Sequence, residues 1–137
     1  MLEAEYKISC YTSIEIDDIS RAIARKFLSD LQSEYPGQLP DKAIRGYNKR
    51  LPQDITLVNE NDLIRLVQIN GPLHFLCGGW ECRSMSLAGH QRGLDDERFL
   101  PFLDMVKILN FLQSEQYPKP LFLFENTWTP TSIKLQN

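Results

Sequence analysis

The sequence is poor in the features that most quickly place a chain. It has three cysteines, Cys10, Cys77 and Cys82, an odd number with no Cys-x-x-Cys pair. Neither a disulfide framework nor a zinc site is therefore indicated, no metal is expected, and a reducing cytoplasm is the expected compartment. No apolar run approaches the roughly 20 residues that span a bilayer. The start, Met1-Leu2-Glu3-Ala4-Glu5, lacks the basic region and apolar stretch of a secretory leader, so no membrane role is expected. A basic excess is missing too. The formal charge of −3 argues against a dedicated nucleic-acid-binding module, while leaving room for a catalytic portion whose grip on a nucleic acid lies elsewhere. The two histidines read as bystanders, His74 within a strand and His90 in a loop. No internal repeat is visible.

What remains is an ordinary globular composition, 42% apolar and 24% charged, on 137 residues, enough for one domain with a real core. Residues 7–16 are rich in β-branched and aromatic side chains and read as a strand. Asp17 or Asp18 then caps a helix whose apolar stripe is Ile19, Ala22, Ile23, Phe27 and Leu31, and which should stop before Pro36-Gly37. Residues 35–52 carry three prolines, two glycines and Lys42, Arg45, Lys49 and Arg50. They read as a loop insertion with a solvated basic face and one helical turn near Ala43. A short strand is expected over residues 54–58, a helix capped by Asn61 or Asp62, and a strand over residues 73–77. A further helix with Pro101 in its first turn uses Phe99, Phe102, Leu103, Val106, Leu109 and Leu112 as its apolar face. The run Leu121-Phe122-Leu123-Phe124 is a last strand. Strands alternating with helices, some apolar on both faces, predict an α/β chain built on a Rossmann-like parallel sheet.

Chemistry concentrates after the third strand. Residues 76–89 read as a buried strand opening into a loop of small residues that presents one thiol, Cys82. Gly78 and Gly79 would let the backbone bend and approach a ligand closely. Such a cysteine sits where open α/β sheets bind ligands. The alternative is a buried, inert thiol, which suits Cys77 better than Cys82. Three acids join it at or near strand ends. Glu15 is placed to accept hydrogen bonds from ribose hydroxyls, or else to serve the following helix dipole. Asp54 after Pro-Gln is also ordinary turn chemistry. Glu125, directly after four apolar residues, should be partly desolvated, a weaker acid able to donate a proton near neutral pH.

With those residues in view the sequence resembles the DNA (cytosine-5) methyltransferases. Their Pro-Cys-Gln/Asn loop and Phe-Ser-x-x-Gly correspond to Glu81-Cys82-Arg83 with Met85-Ser86 and Ala88-Gly89. Their downstream Lys/Gln-x-Gly, acidic pair and Arg correspond to Gln91 through Arg98, and their Glu-Asn-Val to Glu125-Asn126-Thr127. Upstream, Glu15-Ile16 and Asp54-Ile55 match the family's cofactor acids and their neighbours. The resemblance implies a partial S-adenosylmethionine-dependent methyltransferase fold. It makes Cys82 the nucleophile at cytosine C6, Glu125 the partner of N3, and Asn126 a positioning group for the loop. Glu15 would hold the cofactor ribose, Ile16 would pack on adenine, and Asp54 with Ile55 would meet the adenine edge.

The departures from the family pattern are specific. Glu81 replaces proline and disfavours the thiolate; Arg83 pulls the other way. The family's first strand with its Phe-x-Gly-x-Gly loop, the arginines that assist at the flipped base, and the target-recognition domain find no counterpart here. The expectation is a single partial catalytic domain over 1–137, inactive alone and reaching DNA through other parts of an enzyme. The alternative is a binding or assembly module derived from such an enzyme, which pairs with itself or with a complementing chain through an exposed sheet edge.

Overall fold

The structure, a computed structural model, describes residues 6–80 and 97–126. The chain divides into two compact units, Met1–Gly71 and Pro72–Asn137.

The first unit is built from helix α1 (Asp18–Glu34), a one-turn α2 (Asp41–Ile44), 3-10 turns at Tyr47–Lys49 and Ile55–Leu57, and α3 (Glu60–Asn70). Asp17 starts α1 as expected: its carboxylate accepts the Ser20 N–H at 2.7 Å. α3 begins two residues earlier than the sequence suggests. Asn59 is the cap, in a reciprocal box with Asp62, which accepts the Asn59 N–H in return. Gly71 ends that helix at φ +80°, a conformation that disfavours any side chain.

Two expectations fail here for one reason. Residues 7–16 form no strand, and residues 55–57 form a 3-10 turn rather than the strand expected over 54–58. β-branched composition suits a pleated surface but does not supply a pairing partner. The backbone of residues 7–16 instead bonds irregularly to the supposed insertion: Ile8 N–H to Gln38 O at 2.8 Å and Tyr11 N–H to Ala43 O at 3.0 Å. That segment carries the core of the unit and is not a solvated loop. Leu39 and Ala43 are fully buried and close on Leu28, with Ile8, Tyr11, Leu31, Ile44 and Tyr47 packed around them.

Arg50 is correspondingly not part of a solvated face. Its guanidinium donates to the carbonyls of Tyr11, of Ala43 at 3.0 Å and of Arg45 at 3.0 Å, and to the Cys10 sulfur at 3.0 Å. Lys42, Arg45 and Lys49 are exposed as expected. Burial raises the pKa of the Cys10 thiol, and Arg50 offsets part of that rise. The stripe expected to bury α1 is also turned round. Leu28 and Leu31 face the core, while Ile19, Ile23 and Phe27 are each more than three-fifths exposed.

The second unit is a β-α-β crossover. Strand β1 (Phe75–Gly79), a 3-10 turn at Glu97–Phe99, helix α4 (Leu100–Glu115) and strand β2 (Leu121–Glu125) follow in order among the described residues. Pro101 occupies the first turn of α4, where its missing N–H costs nothing. Met105, Ile108, Leu109 and Leu112 are its buried residues; of the expected apolar face Phe99, Leu109 and Leu112 are buried, while Leu103 is exposed. β1 and β2 pair in parallel from Phe75↔Leu121 to Gly79↔Glu125. Among the described residues this two-stranded sheet is the whole of the parallel sheet that the sequence leads one to expect. Side chains alternate across it. Gly78 lies against Met105 of α4, and the opposite face, with Phe75, Cys77, Leu121, Leu123 and Glu125, is exposed.

Gln116 locks the crossover. Its side-chain amide pairs with Leu73 like one rung of a ladder, Oε1 accepting the Leu73 N–H at 3.0 Å and Nε2 donating to Leu73 O at 2.6 Å. Because Gln116 is buried, Gln116→Ala strands two backbone groups and is expected to cost about 2 kcal/mol in chemical denaturation. A cost below about 0.5 kcal/mol would show that water replaces the amide.

The Asp17 cap makes a pH prediction. Hydrogen bonds from the backbone N–H and side chain of Ser20 hold its carboxyl below the usual range. A folded-state pKa lowered in this way contributes stability that is complete above the unfolded value of about 3.9 and is lost as the pH falls through the lower folded value. Unfolding of the intact chain should become easier in that acid window, and Asp17→Asn should remove this part of the acid dependence. An unchanged acid limb in the variant would contradict the assignment.

Candidate active site

Parallel pairing puts the carboxyl ends of β1 and β2 side by side, and of the residues singled out by chemistry Glu125 and Asn126 lie there. Glu125 is the last residue of β2, opposite Gly79. Its side chain is exposed, so the desolvation expected from the preceding apolar run does not occur: the residues before it lie on an open sheet rather than in a core. Asn126 follows, and its Nδ2 donates to the Trp80 carbonyl at 3.2 Å. The Glu-Asn pair is thereby fixed against the residue that leaves β1. Cys82 stands two positions further on; it lies outside the described residues, as do Glu81, Arg83, His90 and Thr127.

An aromatic cluster holds the exit of β1. The Trp80 ring packs on Phe102 at 4.4 Å and edge-on to Phe99 at 6.1 Å, and Phe102 meets Phe124 edge-on at 6.1 Å. The indole Nε1 is buried without a hydrogen-bond partner among the described residues.

The two glycines before Trp80 act through size rather than through a bend. Neither has a positive φ, and both lie within β1. A Cβ on Gly78 would sit 2.5 Å from the Met105 sulfur, and one on Gly79 would sit 3.2 Å from the Glu125 carbonyl and 3.3 Å from its Oε2. Sequence reasoning missed Trp80 and gave Gly79 a bend and a ligand as its reason. The only signal for Gly79 was two adjacent glycines in an apolar strand, which also marks a close approach of another backbone.

The other four candidates belong to the first unit and keep local partners. Glu15 is half-buried; its Oε1 accepts the Asp17 N–H at 2.8 Å, and its carbonyl accepts from Arg21 at 2.7 Å. Ile16 is exposed. Asp54 caps the turn Ile55–Leu57, with Oδ1 accepting from both the hydroxyl and the N–H of Thr56, which hold its carboxyl below the usual range. Glu15 and Asp54 therefore do not lie at strand ends as expected. Their segments are still neighbours, since Gln53 Nε2 donates to Ser13 O at 3.3 Å.

Cys77 corrects another expectation, being exposed on the open sheet face rather than buried. His74 serves through its backbone, accepting the Leu121 N–H at 3.0 Å. Among the described residues no cluster of histidine, cysteine and acidic side chains could hold a metal, and no helix is long and apolar enough to cross a membrane.

Comparison with known proteins identifies a family. The family model described as C-5 cytosine-specific DNA methylase matches residues 37–129, more than half of the chain. The type II methyltransferase M.HhaI of Haemophilus parahaemolyticus is 35% identical over 71 residues, which cover 51% of this chain and 18% of that protein. The chain thus matches about a fifth of the length of this relative. No solved structure matches. On the family match, spanning both strands and the Glu125-Asn126 pair, the chain belongs to the C-5 cytosine-specific DNA methylases.

Proposed function

We propose that this chain is a central part of a methyltransferase that moves a methyl group from S-adenosylmethionine to C5 of cytosine in DNA, on a Rossmann-like sheet of which β1 and β2 are two strands. The observation that carries the reading is the junction at the strand ends: Gly79 opposite Glu125, with Asn126 bonded to the Trp80 carbonyl, at the root of the segment bearing Cys82.

In this reading Cys82, as thiolate, forms a bond to C6 of a cytosine turned out of the duplex, and Glu125 donates a proton to N3. The electron pair displaced from the C5–C6 bond makes C5 nucleophilic. After methylation, C5 loses its proton to a base, the Cys82–C6 bond breaks, and N3 returns its proton. Asn126 holds the loop root in place through Trp80. An incoming base can reach the exposed Glu125 carboxyl, and its arrival would exclude the water around that group.

The first unit fits the adenosine part of the cofactor. Glu15 keeps Oε2 for a ribose hydroxyl while Oε1 bonds its own backbone, and the exposed Ile16 offers an apolar surface for adenine. Asp54, beside Ile55, keeps Oδ2 for the adenine edge. When bound, S-adenosylmethionine supplies an activated methyl group on a sulfonium.

A second reading rests on the open sheet face. Parallel sheets are normally covered on both sides, yet Leu121 and Leu123 are 72% and 60% exposed. An assembly module that pairs with a complementing chain, or with a second copy, would cover them.

Exchange of residues 37–129 for the corresponding part of M.HhaI separates the two readings. The catalytic reading expects the hybrid to transfer labelled methyl groups to DNA, with loss of at least 100-fold on Cys82→Ser and on Glu125→Gln, the scale of removing a nucleophile or a general acid. The isolated chain should be inactive. A folded hybrid with no activity, not restored by Glu81→Pro, would favour the assembly module.

A further inference from the structure

Adjacent positions on a strand face opposite sides, so Gly78 and Gly79 answer to different neighbours. Gly78 faces α4, and its missing side chain makes room for Met105. Gly79 faces the open side of the sheet, which it shares with its register partner Glu125. A methyl group on Gly79 would press on both the carbonyl and Oε2 of Glu125, at 3.2 and 3.3 Å, and the carboxylate would have to give way by a few tenths of an ångström. Among the described residues, the open-face positions two residues back, Cys77 and Leu123, are both exposed.

We propose that Gly79 is a positioning residue for Glu125: a bare backbone at this register position fixes where the carboxylate lies and leaves the space beside it open to the planar edge of a base. The inference rests on the reading of Glu125 as the group that meets the base. Its physical content is one of tolerance. Functional groups must be held within about 0.5 Å of their productive place, and a displacement of about 1 Å can cost 100-fold in rate. A shift of a few tenths of an ångström at Glu125, next to the Asn126 to Trp80 bond, uses up most of that tolerance. Gly78 supplies the internal control. It is the same residue type, one position away in the same strand, and its neighbour is a methionine that takes no part in the site.

The test uses the full chain and carboxyl-carbon and amide NMR. Glu125→Gln in the otherwise unmodified protein should shift the Gly79 Hα and amide signals, a response larger than at any other β1 residue. This measurement needs no change at Gly79, so it stands even where a variant fails to fold. Gly79→Ala should then shift the carboxyl-carbon signal of Glu125 and the side-chain amide signals of Asn126, whereas Gly78→Ala should lower the unfolding midpoint and leave both in place. Gly79 signals that ignore Glu125, or a Gly78→Ala variant that moves Glu125 as far as Gly79→Ala does, would overturn the proposal. The catalytic reading fails separately: an inactive hybrid enzyme with the Gly79 response intact removes the base from the argument but not the coupling, and an active hybrid without the response does the reverse.

Discussion

The parallel pairing of β1 with β2 is the constraint on which the site depends. It is a five-residue ladder that ends at Gly79 opposite Glu125. A shift of one residue in this register would turn Glu125 toward α4 and carry Gly78 away from Met105. Three features hold the register. The Leu121 N–H bonds the His74 carbonyl at the start of the ladder, Gln116 bonds both backbone groups of Leu73 one residue earlier, and Asn126 bonds the Trp80 carbonyl just beyond the end. The ladder is thus pinned on both sides by groups outside it. The aromatic contacts of Trp80, Phe99, Phe102 and Phe124 seat its far end on α4.

Such a pair is too small to be stable by its own hydrogen bonds, since even a two-stranded hairpin is marginal in water. α4 covers one face, and the other is open and largely apolar. α1 shows the same pattern, with Leu28 and Leu31 in the core and Ile19, Ile23 and Phe27 exposed. Each unit therefore has one covered and one uncovered apolar surface. This agrees with a family in which the matched relative is about five times the length of the aligned segment.

The elements readable from the sequence were those decided locally. α1, α3 and α4 have caps, a positive-φ glycine and a first-turn proline that act within a few residues, and the strand at 121–125 is a continuous apolar run. Residues 7–16 and 54–58 were misread because a strand needs a partner, and their backbone partners lay across a loop, at Gln38 and Ala43, or within a single turn, at Thr56. Residues 35–52 were misread because proline and glycine report turns, not exposure. Nothing local distinguishes Arg50, which gathers four carbonyls, from Lys49, which is exposed. At the site, Glu125 and Asn126 were legible from an acid and an amide ending an apolar run, whereas Gly79 gains its meaning only from the residue 46 positions later that the register sets opposite it.

The central claim is that the thiol-bearing segment and the Glu125-Asn126 pair share one end of the sheet. A nitroxide placed on Cys82, with Cys10 and Cys77 replaced by serine, tests it through paramagnetic broadening of amide signals in the full chain. The account predicts strong broadening of Glu125 and Asn126, with Leu121, at the opposite end of β2, much less affected. Broadening centred on Leu121, with Glu125 and Asn126 unchanged, would contradict it.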